Sequence, residues 1–146
     1  MKFADFQPGQ MLTAGPRSLT AEEIIAFARE HDPQWFHTDA HRAEQSRWRG
    51  LIASGWQTCC IAMRLAVDDF LVGSESFGSP GLQYLKWLMP VRPGDALTLH
   101  VEVLDKRRSD TQPTLGIVRW RWLLINQREE PVLDLVATSF FEVPLE

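Results

Sequence analysis

The sequence predicts an α+β domain in which one curved antiparallel sheet surrounds a single long helix. Two changes of apolar period and one capping signal point to it. Between Ser54 and Leu71 the apolar residues fall three and four apart, the spacing of a helix face. Beyond Gly73 the period becomes two. Leu97, Leu99, Val101 and Val103 alternate with Thr98, His100 and Glu102, as in a strand with one face buried. Upstream, Thr20-Ala21-Glu22-Glu23 has the form of a capping box, in which the threonine hydroxyl accepts from an orphan N–H of the first turn and Glu23 reaches back to the cap.

The elements follow in chain order. Pro8-Gly9 and Gly15-Pro16 bracket Met11-Leu12, which suggests a short first strand. The capping box opens a helix with Ile24, Phe27 and Ala28 on one face. Pro33 disfavours helical backbone at Asp32, so this helix should end near His31. Asp39 is a suitable N-cap for a second short helix. In the long helix Trp56, Cys59/Cys60, Met63, Val67 and Phe70/Leu71 form one stripe, and Ile61, Ala62, Leu65 and Ala66 fill much of the remaining circumference. Burial on most sides is therefore expected. Gly73 is a natural stop. Residues 82–89, before Pro90 and the turn Arg92-Pro93-Gly94-Asp95, read as a strand. Others are expected around 97–103, at 115–126 and at 131–143, the last two joined by the polar turn Asn126-Gln127-Arg128-Glu129-Glu130. One buried helix followed by a run of long antiparallel strands is an α+β layout, and a sheet curled around that helix is the hot-dog arrangement.

The chain has 146 residues, 45% hydrophobic and 23% charged, and is expected to form one domain spanning 1–146. That composition excludes wholesale disorder. Fifteen basic against nineteen acidic residues give a net charge of −4, without the excess of Lys and Arg that a nucleic-acid-binding module carries. No apolar run approaches the ~18 residues of a membrane span; the greasiest, Cys59 to Val67, is broken by Arg64. Residues 1–10 hold no apolar signal core. Cys59 and Cys60 are adjacent and poorly placed to bridge each other. The expectation is a reduced, cytoplasmic domain with neither nucleic acid nor membrane as partner.

Titratable side chains concentrate in His31-Asp32-Pro33-Gln34-Trp35-Phe36-His37-Thr38-Asp39-Ala40-His41. Asp32 and His37 are five apart, and a loop of that length can fold back to bring both to one spot. There a carboxylate and an imidazole could hold one water and exchange its protons. On spacing alone a plainer reading stands beside it: Asp32 caps a turn, and His37 lies on the surface. Gly55, at the start of the long helix, has a separate physical basis. A helix N-terminus offers unpaired N–H groups and partial positive charge to a developing oxyanion, and glycine permits close approach. The alternative is that Ser54-Gly55 is an N-cap and nothing more. His31, Asp32, His37, Asp39 and His41 are of metal-ligand type. Five residues on a helix end, a loop and the next helix cannot all converge, however, so no metal is expected. Cys59 and Cys60 read as core packing.

These residues, with Pro8-Gly9, the stretch Leu19 to Ala28 and Gly50-Leu51-Ile52-Ala53-Ser54-Gly55, resemble the MaoC-like dehydratases, a family that includes the (R)-specific enoyl-CoA hydratases. Pro90-Val91-Arg92-Pro93-Gly94-Asp95 is similar to the family's turn between two late strands. The resemblance runs over nearly the whole chain in the same order. It implies a hot-dog fold, a homodimer or dimer of dimers, and syn addition of water across a trans-2-enoyl thioester of coenzyme A or acyl carrier protein. It implies Asp32 and His37 as the catalytic pair, with Gly55 N–H polarising the thioester carbonyl and Ser54 beside it. No cofactor is expected, because the thioester already acidifies the α-carbon. Three departures stand out. Many members read Asp-x-Asn-Pro-x-His, whereas here the string is Asp32-Pro33-Gln34-Trp35-Phe36-His37. Ser54 replaces a frequent histidine. Met63 stands where some hydratases carry a serine, so a polar contact to the pair would come from Thr58 or Cys59, or be missing.

Arg42, Arg47 and Arg49 lie between the motif and Gly55. They could meet the phosphates of coenzyme A; solvated charge is the plain alternative. Among the six tryptophans, Trp56 and Trp87 fit core positions. Trp120 and Trp122 share a strand face opposite Arg119 and Arg121, and that face needs a cover, from the helix or another subunit. The expected function is a hydro-lyase acting on a 2-enoyl or 3-hydroxyacyl thioester. A hot-dog acyl-CoA thioesterase and a non-catalytic acyl-thioester-binding subunit are its rivals.

Overall fold

The computed structural model describes residues 1–145. After a 3-10 turn at Phe3–Asp5 come β1 (Met11–Ser18), α1 (Ala21–His31), α2 (Trp35–Thr38), α3 (Ala40–Glu44) and α4 (Gly55–Ala66). A π turn at Val67–Leu71 extends α4, and β2 (Ser76–Trp87), β3 (Ala96–Arg108), β4 (Leu115–Ile125) and β5 (Pro131–Glu142) complete the chain. The strands make one antiparallel sheet in the order β1-β3-β4-β5-β2. Consecutive hairpins β3-β4-β5 form its centre, and the two strands nearest the helices in sequence are its edges.

The period-two pattern holds through the centre. Leu97, Leu99, Val101 and Val103 of β3 and Val118, Trp120, Trp122 and Leu124 of β4 are buried, and their neighbours along each strand are less so. This face closes on Ile61, Ala62, Leu65 and Ala66 of α4, together with Phe6 and Phe141. Trp120 meets Phe6 edge-on at 5.3 Å and donates its indole N–H to Ser139 Oγ at 3.1 Å. The helix is thus the cover that Trp120 and Trp122 need, and the sheet wrapped on α4 is the hot-dog arrangement. No helix among the described residues is long and apolar enough to cross a membrane.

Four expectations need correction. The strand expected at 82–89 begins at Ser76. Helix α4 is buried on one side of the chain only: Gln57, Thr58, Ile61, Ala62, Leu65 and Ala66 are covered, while Trp56, Cys60 and Met63 are exposed. Ala62 and Ala66 let the helix approach the sheet closely, and the bulkier Trp56 and Met63 cannot fit there. Trp56 and Trp87 are accordingly not core residues, being 59% and 46% exposed. Cys60 is exposed as well, and only Cys59 packs partly against the core.

The other face of the sheet is tied by polar contacts. Arg121 grips Asp134 with two N–H groups at 3.0 and 2.9 Å, and Tyr84 donates to the same carboxylate at 2.9 Å. The Arg121 fork outweighs partial burial and, with Tyr84, holds the Asp134 carboxyl below its ordinary range. A carboxyl lowered on folding adds stability above its unfolded pKa and loses it as pH falls through the folded one. Asp134→Ala should therefore cost about 1 kcal/mol at pH 7, since Arg121 is partly exposed. The difference from the parent should shrink on acidification below the usual carboxylate range. Thermal unfolding at pH 7 and at low pH checks both signs.

Candidate active site

Asp32 stands where α1 stops. Its N–H still bonds to Ala28 O at 2.8 Å, but its φ of −152° has left the helix, as expected before Pro33. One turn of helix, α2, then carries His37 back toward it. The ring of His37 is buried, so the surface reading of this residue fails. Its Nδ1 lies 2.7 Å from Ile52 O. A carbonyl only accepts, so Nδ1 carries a proton and donates it. Nε2 is left facing Asp32 Oδ2 at 3.2 Å.

Two further groups orient the carboxylate. Gln34 Nε2 donates to Asp32 Oδ1 at 2.7 Å, and Ser54 Oγ donates to Oδ2 at 2.8 Å. Burial pushes this carboxyl up, but the two hydrogen bonds and the neighbouring His37 outweigh it and leave the group below its ordinary range. The polar contact expected from Thr58 or Cys59 thus comes from Ser54 and Gln34. Thr58 instead bonds back to Ser54 O through its N–H and, at 3.4 Å, its hydroxyl. Ser54 also accepts the Trp56 N–H at 3.3 Å as the N-cap of α4. One serine therefore starts the helix and braces the carboxylate, and Met63 lies elsewhere, on the open side of α4.

Ser54→Ala should show both jobs. Losing the cap costs about 0.5–2 kcal/mol. Losing a hydrogen bond to the charged form raises the Asp32 pKa, so any acid limb of activity set by Asp32 should move to higher pH. A pH–rate profile of the folded variant, with an unshifted acid limb as the contrary result, checks the second job.

Gly55 follows Ser54 at the first position of α4. Its N–H has no hydrogen-bond partner among the described residues, and Gly55 lines a cavity of about 440 Å³ together with Asp32 and His37. The glycine is required by its neighbour: a Cβ there would sit 2.5 Å from Cε2 of Trp87. The Trp87 indole N–H also donates to Gly55 O at 2.9 Å, and its ring meets Trp56 edge-on at 5.1 Å. Phe36, Trp48 and Met89 continue the cavity wall. The roles of Gln34 and Trp87 go beyond what the sequence suggests. The amide two residues past Asp32 is a visible signal; nothing local marks Trp87.

Arg42, Arg47 and Arg49 are exposed, and none lines the cavity. Arg42 lies over the Trp35 ring at 4.4 Å, whereas Arg47 and Arg49 flank Trp48, which is part of the wall. His31 is exposed at the end of α1, 3.9 Å from Glu30, and His41 is exposed in α3. Among the described residues no three His, Cys, Asp or Glu side chains are grouped as metal ligands.

A hot-dog domain with an Asp–His pair beside the foot of its central helix defines the class. The family model of the MaoC like domain matches residues 5–120, and the chain belongs to that family. The crystal structure of the MaoC-like dehydratase from Rhodospirillum rubrum is 36% identical, with a TM-score of 0.87 and 97% of each chain covered. The uncharacterized protein YdeM of Bacillus subtilis is 33% identical over 134 residues, covering 92% of this chain and 94% of its own. The unliganded R-hydratase PhaJ1 from Pseudomonas aeruginosa is 26% identical with a TM-score of 0.79, over 99% of this chain and 86% of the other.

Proposed function

We propose that the protein is a hydro-lyase of the (R)-specific enoyl-CoA hydratase type, adding water to a trans-2-enoyl thioester or removing it from the 3-hydroxyacyl product. The observation that carries this reading is the 3.2 Å approach of His37 Nε2 to Asp32 Oδ2, in one cavity with the unpartnered Gly55 N–H. In the hydration direction the Asp32 carboxylate takes a proton from water as the oxygen bonds to C3. His37, protonated at Nε2, gives its proton to C2 on the same face. Gly55 N–H holds the thioester oxygen on which enolate charge develops, a role that pre-aimed backbone donors serve well. The proton gained by Asp32 then returns to His37 across their contact, and the pair is restored. Arg47 and Arg49, exposed on either side of Trp48 in the sequence, are the candidates to meet the phosphates of coenzyme A, or an acyl carrier protein.

Crotonyl-CoA separates this reading from its rivals. Loss of the enoyl absorbance without release of free CoA supports it. Release of CoA assigns a thioesterase, and neither change assigns a non-catalytic binding subunit. Because proton transfer runs through side chains alone, prolonged chelation should leave the rate unchanged. Activity that vanishes with chelator and returns with Zn²⁺ would move the chemistry to a metal.

The proposal includes a homodimer, or a dimer of dimers. Edge strand β2 is exposed along most of its length, and Phe77 and Leu82 on it, with Trp56 and Met63 of α4, remain open in the single chain. Such an edge is a template for a second copy, which two-fold symmetry would satisfy on both sides. Sedimentation should show a dimer at micromolar concentration; a stable monomer contradicts it. A cytoplasmic location belongs to the same reading, in keeping with the free, adjacent Cys59 and Cys60.

A further inference from the structure

The turn Pro90-Val91-Arg92-Pro93-Gly94-Asp95 has no part in the chemistry proposed above, yet it fastens two segments that frame the site. Val91 lies in the cavity wall, and its carbonyl accepts the Ala53 N–H at 2.8 Å, between Ile52 and Ser54. Arg92 is half-buried and reaches the 45–50 loop, where its Nη2 donates to Trp48 O at 2.5 Å. That carbonyl has no other partner among the described residues. The loop needs such a hold. Arg49 has a φ of +58°, a left-handed conformation that is unfavourable for a residue with a Cβ. The loop's other hydrogen bonds stay local, from Gly50 N–H to Ala43 O at 3.1 Å, Arg49 N–H to Ser46 O at 3.0 Å and Trp48 N–H to Ser46 Oγ at 3.1 Å. Arg92 itself has a firm base. Asp95, 5% exposed, accepts the Arg92 N–H and the Gln127 amide, each at 2.9 Å, and Gly94 N–H donates to Leu19 O at 2.8 Å.

We propose that Arg92 is a positioning residue: by holding Trp48 O it keeps the Trp48 indole in the cavity wall, and through that wall it sets how tightly the thioester binds. The inference rests on the thioester reading above. Trp48 and Phe36 both line the cavity, and their rings pack at 6.4 Å. Without Arg92, Trp48 O is left partly buried and unpaired, which is unfavourable. Turning the loop toward water relieves it and withdraws the indole. The reacting groups do not lean on this loop. His37 is held by Ile52 O, and Asp32 by Gln34 and Ser54. Loss of Arg92 should therefore raise KM and spare kcat, as expected when binding common to ground and transition states is removed. Lysine can return one donor to Trp48 O, without the planar fork that pre-organises a guanidinium.

The test is a double-variant cycle on crotonyl-CoA. Arg92→Met keeps the stem and removes the donors, and should raise KM about tenfold, the scale of one hydrogen bond from a charged donor, with kcat within about twofold. Arg92→Lys should recover about threefold of that loss. Trp48→Ala should raise KM by a similar factor, and adding Arg92→Met to it should change nothing further, because the wall is already gone. In 5-fluorotryptophan-labelled protein without thioester, Arg92→Met should shift the Trp48 ¹⁹F resonance, identified by its loss in Trp48→Ala, and leave that of Trp120 in place. If Arg92→Met does not fold, Arg92→Lys carries the same cycle. A role in fold stability alone would lower Tm and multiply with Trp48→Ala instead of vanishing into it. That result overturns the inference, as does an unchanged KM or an unmoved Trp48 resonance. If crotonyl-CoA is not hydrated, S-butyl-CoA replaces it, a thioether open to neither hydration nor hydrolysis, and Kd is read in place of KM. The same cycle in Kd then supports Arg92 while the hydratase reading fails. Hydration by the parent with uncoupled effects sinks the role of Arg92 and spares the hydratase.

Discussion

Asp32→Asn and His37→Gln should each lower kcat for hydration by about 10²–10⁴-fold, the scale of positioned acid–base groups. Asparagine keeps the shape of Asp32 and removes the base. Glutamine can still donate to Ile52 O but cannot titrate. Asp32 takes a proton from water while His37 gives one to C2, and each resets the other across 3.2 Å. The double variant should therefore be little worse than either single one. Thioester binding should persist, because Gly55 and the apolar walls are untouched. Folding should persist too. Asp32 is a helix C-cap held by side-chain bonds. The hydrogen bond from His37 to Ile52 O, which glutamine can partly replace, is worth about 1 kcal/mol. Steady-state rates on folded variants decide it, and near-full turnover from either one removes the pair from the chemistry.

Gly55→Ala should lower kcat/KM by about 10²-fold or more, comparable to losing an oxyanion donor, even though alanine is the better helix former. The added methyl would lie 2.5 Å from Cε2 and 2.7 Å from Nε1 of Trp87. That indole is a rigid ring already bonded to Gly55 O, so the clash cannot be relieved by turning a flexible side-chain end. Either the ring swings into the cavity or the first turn of α4 shifts, and both misplace the N–H. Trp87→Leu in the same chain makes room for the methyl, so the double variant should recover about tenfold of the loss by coupling between neighbours. Wild-type kinetics from Gly55→Ala alone would show that the Gly55 N–H has no part in catalysis.

Legibility in the sequence follows the physics of each element. Strands β3 and β4 are readable because the helix covers one face, so alternation runs unbroken through Leu97–Val103 and Val118–Leu124. The first half of β2 is not. Phe77-Gly78-Ser79-Pro80-Gly81 has turn residues and no alternation, and two of the three slips in the pairing of β2 to β5 fall between Ser76 and Gly81. An edge strand tolerates Pro and Gly that a central strand would not. Helix α4 is plain as a helix, but its apolar pattern misleads about which face is buried. The stripe of large apolar side chains lies on the open side, where a second copy is proposed, and size alone does not tell a core face from an interface.

At the site, the Asp32–His37 approach is legible from spacing and Pro33. Helix α2 is not, since four residues are too few to display a period. Ser54 is legible as a cap. Its bond to Asp32 spans 22 positions and follows only from the way α1 and α4 meet. Trp87 reads as core because the sequence shows its apolar bulk and not the Gly55 carbonyl that its N–H reaches.

The central claim is that one face of the enoyl thioester receives both the oxygen and the proton from a single Asp–His pair. Hydration of crotonyl-CoA in ²H₂O tests it most directly, with the stereochemistry of the product read at C2 and C3. The account predicts an (R)-3-hydroxy product carrying one deuterium at C2, on the same face as the hydroxyl. Deuterium on the opposite face, or scrambled over both positions of C2, would contradict it.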